Sequence, residues 1–186
     1  MQLDRCGLGA NMKYIYDDGG REAAGFKGKA GDCVARAVAI ASGKPYAEVY
    51  SALSAIEGGR RQTKRMRKQA RTSARNGVYT TRKAFKDYMA SLGFTWTPTM
   101  HIGSGCKVHL RADELPSGRL VVAVSKHYTA VVDGVIHDTY DPSADRGTTI
   151  YPPGSPSVPK GARWLENGNG WAYAPERCVY GYWRAE

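Results

Sequence analysis

Hydrophobic periodicity changes once along this chain of 186 residues, at Gly93. Before that glycine, apolar residues repeat at helical spacing; after it, they alternate or run together as strands do. Helices first and strands second point to an α+β fold with segregated layers. The length suits a single domain spanning residues 1–186.

In the first half, Val34, Ala37, Val38 and Ala41 follow the i, i+3, i+4, i+7 template of a helix. Asp32 is a suitable N-cap and Gly43 a suitable stop, which puts Cys33 at the first helical position. Pro45 suits the start of a second helix with Tyr46, Val49, Tyr50, Leu53 and Ile56 on one face. A third helix is predicted over about Thr81–Leu92. Residues 1–30 read as a Gly-rich N-terminal arm with one short strand at Met12–Tyr16.

In the second half, Leu120–Val124 and Tyr128–Val132 are β-branched runs, and Arg177–Trp183 resembles a last strand. Asp133-Gly134, between Val132 and Val135, is the strongest hairpin signal in the chain. Residues 150–170 are rich in Pro, Gly and Asn and are expected to form a long loop.

A hydrophobic fraction of 42% argues against wholesale disorder. No apolar run approaches the ~18 residues that cross a bilayer, so membrane insertion is not expected. Met1–Lys13 has charge and no apolar core, unlike a secretory signal. The four cysteines are therefore expected as reduced thiols in a cytoplasmic setting.

The net charge of +10 is local. Between Arg60 and Lys86 lie 11 basic residues and no acidic one, leaving 16 basic against 17 acidic residues elsewhere. Residues 58–78 thus read as an exposed basic insertion. Arg60, Arg61, Lys64, Arg65, Arg67, Lys68, Arg71 and Arg75 are candidates for binding nucleic acid or another polyanion by counterion release.

A cysteine at a helix N-terminus has a lowered pKa and becomes a nucleophile when an imidazole takes its proton. Asp133-Gly134 as a two-residue turn pairs Val132 with Val135 and Val131 with Ile136. His127, Thr129 and Val131 then share a sheet face with Ile136 and Asp138, because side chains alternate along a strand. The hairpin therefore selects Asp138 to orient His127, and puts His137 and Asp141 on the other face. Asp32 would raise the thiol pKa unless its carboxylate is engaged in capping. His101, His109 and His137 are expected to be structural or at the surface, and Tyr180, Tyr182 and Trp183 to be core. Cys106 and His109 form one close pair where zinc sites use two, so no metal is expected, and no cofactor.

Asp32-Cys33 opening an Ala-rich helix, Lys126–Val132 as a strand and Ile136–Thr139 as the next resemble the papain-like cysteine peptidase superfamily, in its chain order Cys, His, Asp or Asn. Gly31–Ala37 together with Gly105–Leu110 also resembles a group of phage and prophage proteins of that type. The resemblance covers about residues 30–141. It implies a helical lobe whose Cys-bearing helix packs on an antiparallel sheet lobe. It also implies a Cys33–His127–Asp138 triad that hydrolyses an amide or isopeptide bond of a peptide or protein through a thioester. Deubiquitinase-like, peptidoglycan amidase and transglutaminase chemistry use the same three residue types. A phage origin would place the chain in the host cytoplasm or the virion.

The superfamily's oxyanion Gln has no counterpart here: Lys27 stands at that offset. The Cys33 backbone N–H can supply one donor, with Asn11, Lys27 or a backbone amide as candidates for another. The alternative reading is a phage protein whose basic arm binds nucleic acid or a virion component, on a non-catalytic fold of this kind.

Overall fold

The computed structural model describes residues 12–59, 73–143, 149–158, 162–165, 168–173 and 176–186. Strand β1 (Lys13–Tyr16) precedes helices α1 (Cys33–Ser42) and α2 (Tyr46–Gly58). A 3-10 turn at Ala74–Asn76 leads into α3 (Lys83–Ser91). The strands β2 (Phe94–Pro98), β3 (Arg119–Val124), β4 (His127–Val132) and β5 (Val135–Asp138) follow. Three short strands, β6 (Thr149–Tyr151), β7 (Arg163–Trp164) and β8 (Trp171–Tyr173), precede β9 (Val179–Ala185). The fold is α+β. Its main sheet has six strands in the order β1-β5-β4-β3-β9-β2, with β1 parallel to β5 and the other neighbours antiparallel. Among the described residues, no helix is long and apolar enough to cross a membrane.

The helices cover one face of the sheet. Val34, Val38, Val49, Leu53, Phe85 and Met89 pack there with Val121, Ala130 and Trp183. The alanines of α1 leave short side chains at the interface, so the helix can approach β4 closely. Gly43 ends α1 at φ 71°, a conformation that favours glycine, and its N–H donates to Ala39 O. Arg119 of β3 then donates to the orphan carbonyls of Ala41 (2.6 Å) and Ile40 (2.5 Å). A guanidinium at a helix C-terminus also complements the helix dipole. This clamp sets the distance between α1 and the sheet.

The opposite face buries Leu120, Val122, Val124, Val131, Ile136 and Val179. It is covered by Met12 and by Leu110 and Leu115 of the β2–β3 connection rather than by helices. Leu110 N–H donates to Arg177 O (2.7 Å) and Val179 N–H to Val108 O (2.8 Å). A disulfide joins Cys106 to Cys178, with Cα atoms 5.8 Å apart. This corrects the expectation of four reduced thiols: Cys106 and Cys178 are paired, Cys33 is free, and Cys6 lies outside the described residues. The two sulfurs meet because an isolated bridge between His109 and Cys178 brings segments far apart in sequence side by side.

Other expectations change in detail. Pro45 precedes the first helical residue of α2 and occupies the N-cap position. Phe94–Pro98 is a strand that its short, mixed sequence does not announce; its antiparallel pairing with β9 makes it one. The stretch expected as one loop, 150–170, contributes to a separate three-stranded sheet, β6-β8-β7. There Trp164 and Trp171 meet edge to face at 5.2 Å.

Candidate active site

The Asp133-Gly134 turn places Val132 opposite Val135 and Val131 opposite Ile136, the register read from the sequence. Asp133 and Gly134 both have positive φ, as a tight hairpin of this hand requires. His127 and Asp138 therefore lie on one face, both buried, with His127 Nε2 2.6 Å from Asp138 Oδ2. Asp138 Oδ1 accepts from the Thr139 N–H at 2.7 Å, which fixes the carboxylate. The Tyr140 ring lies 4.9 Å from the imidazole, centroid to centroid.

Cys33 begins α1 and lines the same cavity as His127, close enough that thiol and imidazole shift each other's titration. Because Nε2 faces Asp138, Nδ1 is the ring atom left for the sulfur. Burial pushes the Cys33 thiol up. The bond to His127, its charge, a backbone hydrogen bond from Tyr128 and the Arg36 charge together outweigh burial and lower it. Burial likewise lowers His127, but hydrogen bonds to Asp138 and Cys33, and their charges, raise it to about 9. Each group thus favours the charged form of the other: the imidazolium lowers the thiol and the thiolate raises the ring.

Asp32 does not cap α1: its carboxylate makes no bond to the first turn. It is buried and turned the other way. Oδ2 accepts from Arg21 Nε (2.8 Å) and from the Tyr46 hydroxyl (2.5 Å), while Oδ1 stands 3.3 Å from Arg36 Nε. Two guanidiniums and a phenol are stronger partners for a carboxylate than neutral amides are. Asp32 is thereby neutralised away from the sulfur, and the first-turn N–H groups are not covered by its side chain. Their partial positive charge favours an anion beside Cys33.

Cys33 and His127 line a cavity of about 570 Å³. One wall is Asn76, Gly77, Val78 and Thr81; the other includes Trp96 and Tyr180. Glu57 of α2 holds the first wall by accepting the Tyr79 N–H at 2.9 Å, and Tyr128 donates to Thr80 Oγ1 at 2.8 Å. Asn76 packs against Gly31, whose N–H donates to Arg75 O at 2.8 Å. A larger cavity, about 750 Å³, lies on the Asp32 side of the helix start and is lined by Arg21, Arg36 and Tyr140. The larger one does not include the thiol; the smaller one does.

Cys33, His127 and Asp138 are brought together. Arg60, Arg61, Lys64, Arg65, Arg67, Lys68 and Arg71 lie outside the described residues, as do Asn11 and Cys6. Arg75 is described, and it donates to Lys29 O at 3.2 Å. Lys27 lines the larger cavity, whose lining does not include Cys33. His137 pairs with Asp17 at 3.2 Å. His109, Glu114 and Glu176 bring three ligand-type atoms within 4.8 Å of one another, but Arg111 already faces both carboxylates at 3.5 and 3.1 Å. Trp183 is core, whereas Tyr180, expected beside it in the core, is exposed on the cavity rim. Tyr180 is the extra residue where the register of β9 on β3 shifts: Val179 pairs with Val124 and Gly181 with Ala123, so Tyr180 has no partner on β3, and simple alternation does not reveal it.

The arrangement can take a proton from sulfur, hold it on an acid-backed ring and present the sulfur at a helix N-terminus to a cavity. That is the equipment for acyl transfer. Compared with family models, curated proteins and solved structures, the chain matches none.

Proposed function

We propose that this chain is a papain-like cysteine hydrolase that cleaves an amide or isopeptide bond of a peptide or protein. One observation supports the reading above the others: a thiol at a helix start shares a cavity with an imidazole whose Nε2 is 2.6 Å from a buried carboxylate. The Cys33 thiolate attacks the carbonyl carbon and its electrons move to oxygen. The Cys33 N–H at the uncapped start of α1 is one donor for that oxyanion. As the tetrahedral species collapses, the amide C–N bond breaks and His127 gives its proton to the leaving amine. Water then attacks the thioester with His127 as base, releasing the acid and restoring the thiolate–imidazolium pair. Asp138 holds the ring orientation and its charge throughout.

The test is alkylation of Cys33 by iodoacetamide against pH, followed by peptide mass spectrometry. An ordinary thiol, with pKa near about 8.5, loses its reactivity in step below that pH. Cys33 should stay reactive well below that pH and lose this on His127→Ala. Turnover of p-nitrophenyl acetate should require Cys33. A thiol that titrates in the ordinary range, or His127→Ala with an unchanged profile, would remove the reading.

A further inference from the structure

Strands β3 and β4 are joined by Ser125-Lys126, since Val124 pairs with His127. Lys126 has φ 57°, in the left-handed region. The other described non-glycine residue at positive φ is Asp133, a type that tolerates it. Lysine has no such ease, and nothing in the turn requires it: Gly or Asn fits there with less strain. Strained residues that persist tend to sit at functional sites. This one immediately precedes His127 and lines the same cavity as Cys33.

The charge balance of that cavity points to the reason. Lys126 is exposed and makes no ion pair among the described residues. The residues lining the cavity include no Asp or Glu, while Val78, Trp96, Tyr128 and Tyr180 make its walls largely apolar. An anion there meets a cation with no competing internal partner, in surroundings that strengthen the attraction. The turn itself is held, because Arg177 donates to Ser125 O at 2.6 Å.

We propose that Lys126 is a specificity residue that draws a carboxylate of the substrate into the cavity beside Cys33, so that the scissile bond lies next to an acidic group. This rests on Cys33 being the nucleophile proposed above. The carboxylate can come from an Asp or Glu side chain or from a free chain terminus; the chemistry is shared.

Two small reagents separate this inference from its parent reading. Iodoacetate carries a carboxylate and iodoacetamide does not. The ratio of their rates at Cys33, normalised to N-acetylcysteine amide, measures attraction of the anion. Lys126→Asn should lower that ratio by about fivefold, the size expected of one partly screened charge contact. Lys126→Arg should retain it, and Lys86→Asn, an equal change of net charge on α3, should leave it alone. Because Asn tolerates left-handed backbone, Lys126→Asn should melt no lower than wild type. An unchanged ratio in Lys126→Asn overturns this inference alone. Inertness of Cys33 to both reagents overturns the parent reading and this one with it. N-chloroacetyl-glutamate amide and N-chloroacetyl-glycine, each against its neutral amide, then identify the source. A Lys126-dependent advantage for the first assigns a side chain, and for the second a chain terminus; an advantage for neither overturns the proposal.

Discussion

The Tyr46 hydroxyl donates a 2.5 Å hydrogen bond to Asp32, so the residue beside the thiol is tied to α2 and not to the amides of its own helix. The same carboxylate oxygen takes Arg21, and Arg36 stands at the other oxygen. Burial, the bond to Asp32 and its charge hold the Tyr46 phenol protonated far above its ordinary range. One buried carboxylate thus joins the N-terminal loop, α1 and α2 directly behind Cys33.

Asp32→Asn should therefore be costly despite its equal size. It leaves Arg21 and Arg36, both largely buried, without their counter-charge. Breaking a buried pair from one side costs about 3–5 kcal/mol. For a chain of this length, that lowers Tm by on the order of 10 °C. Thermal unfolding by circular dichroism checks it; an unchanged Tm would show that the network does not support the helix start.

Asp138→Asn keeps the hydrogen bond to Nε2 and removes the charge that helps raise His127 to about 9. The ring then holds its proton less strongly and the proton returns to sulfur. The acid limb of Cys33 alkylation by iodoacetamide should therefore move to higher pH. One unit of pKa corresponds to about a tenfold lower rate at pH 6. A profile that superposes on wild type would show that the carboxylate does not act on the pair.

The Cys106–Cys178 bond closes a separation of 72 residues. Loop-closure entropy for a ring of that size is worth about 4 kcal/mol of stability. Reductant should lower the Tm of wild type but not that of Cys106→Ser, which should start low. A non-reducing peptide map should show the linked pair, and free thiol at both positions in a folded sample would contradict the bond.

Gly181 of β9 lies directly under the Trp96 ring. A Cβ there would overlap the indole and come within 2.8 Å of Thr97 O. Gly181→Ala should cost about 1–3 kcal/mol, as overpacking does, and displace Trp96 from the wall of the Cys33 cavity. Alkylation by a bulky maleimide should change more than alkylation by iodoacetamide. Equal changes for both would mean that Trp96 does not shape access to the thiol.

Local chemistry accounts for what the sequence made legible. Asp133-Gly134 is a turn whose geometry depends on its own two residues, so it set the register of β4 on β5. Period-two alternation then singled out Asp138 as the partner of His127. Helical spacing and a C-terminal glycine likewise sufficed for α1.

What the sequence alone determined is the order of elements and the residues that meet within one hairpin or one helix turn, because those depend on neighbours a few positions away. The tertiary structure decided the rest. It turned Asp32 from a cap into a buried ion-pair partner, brought Cys106 to Cys178, made Phe94–Pro98 a strand and assembled the cavity walls from Asn76, Trp96, Lys126 and Tyr180. In each case the deciding partner lies far away in the chain. A carboxylate, a thiol or an edge strand takes the strongest partner that folding brings within reach, and spacing along the sequence does not carry that information.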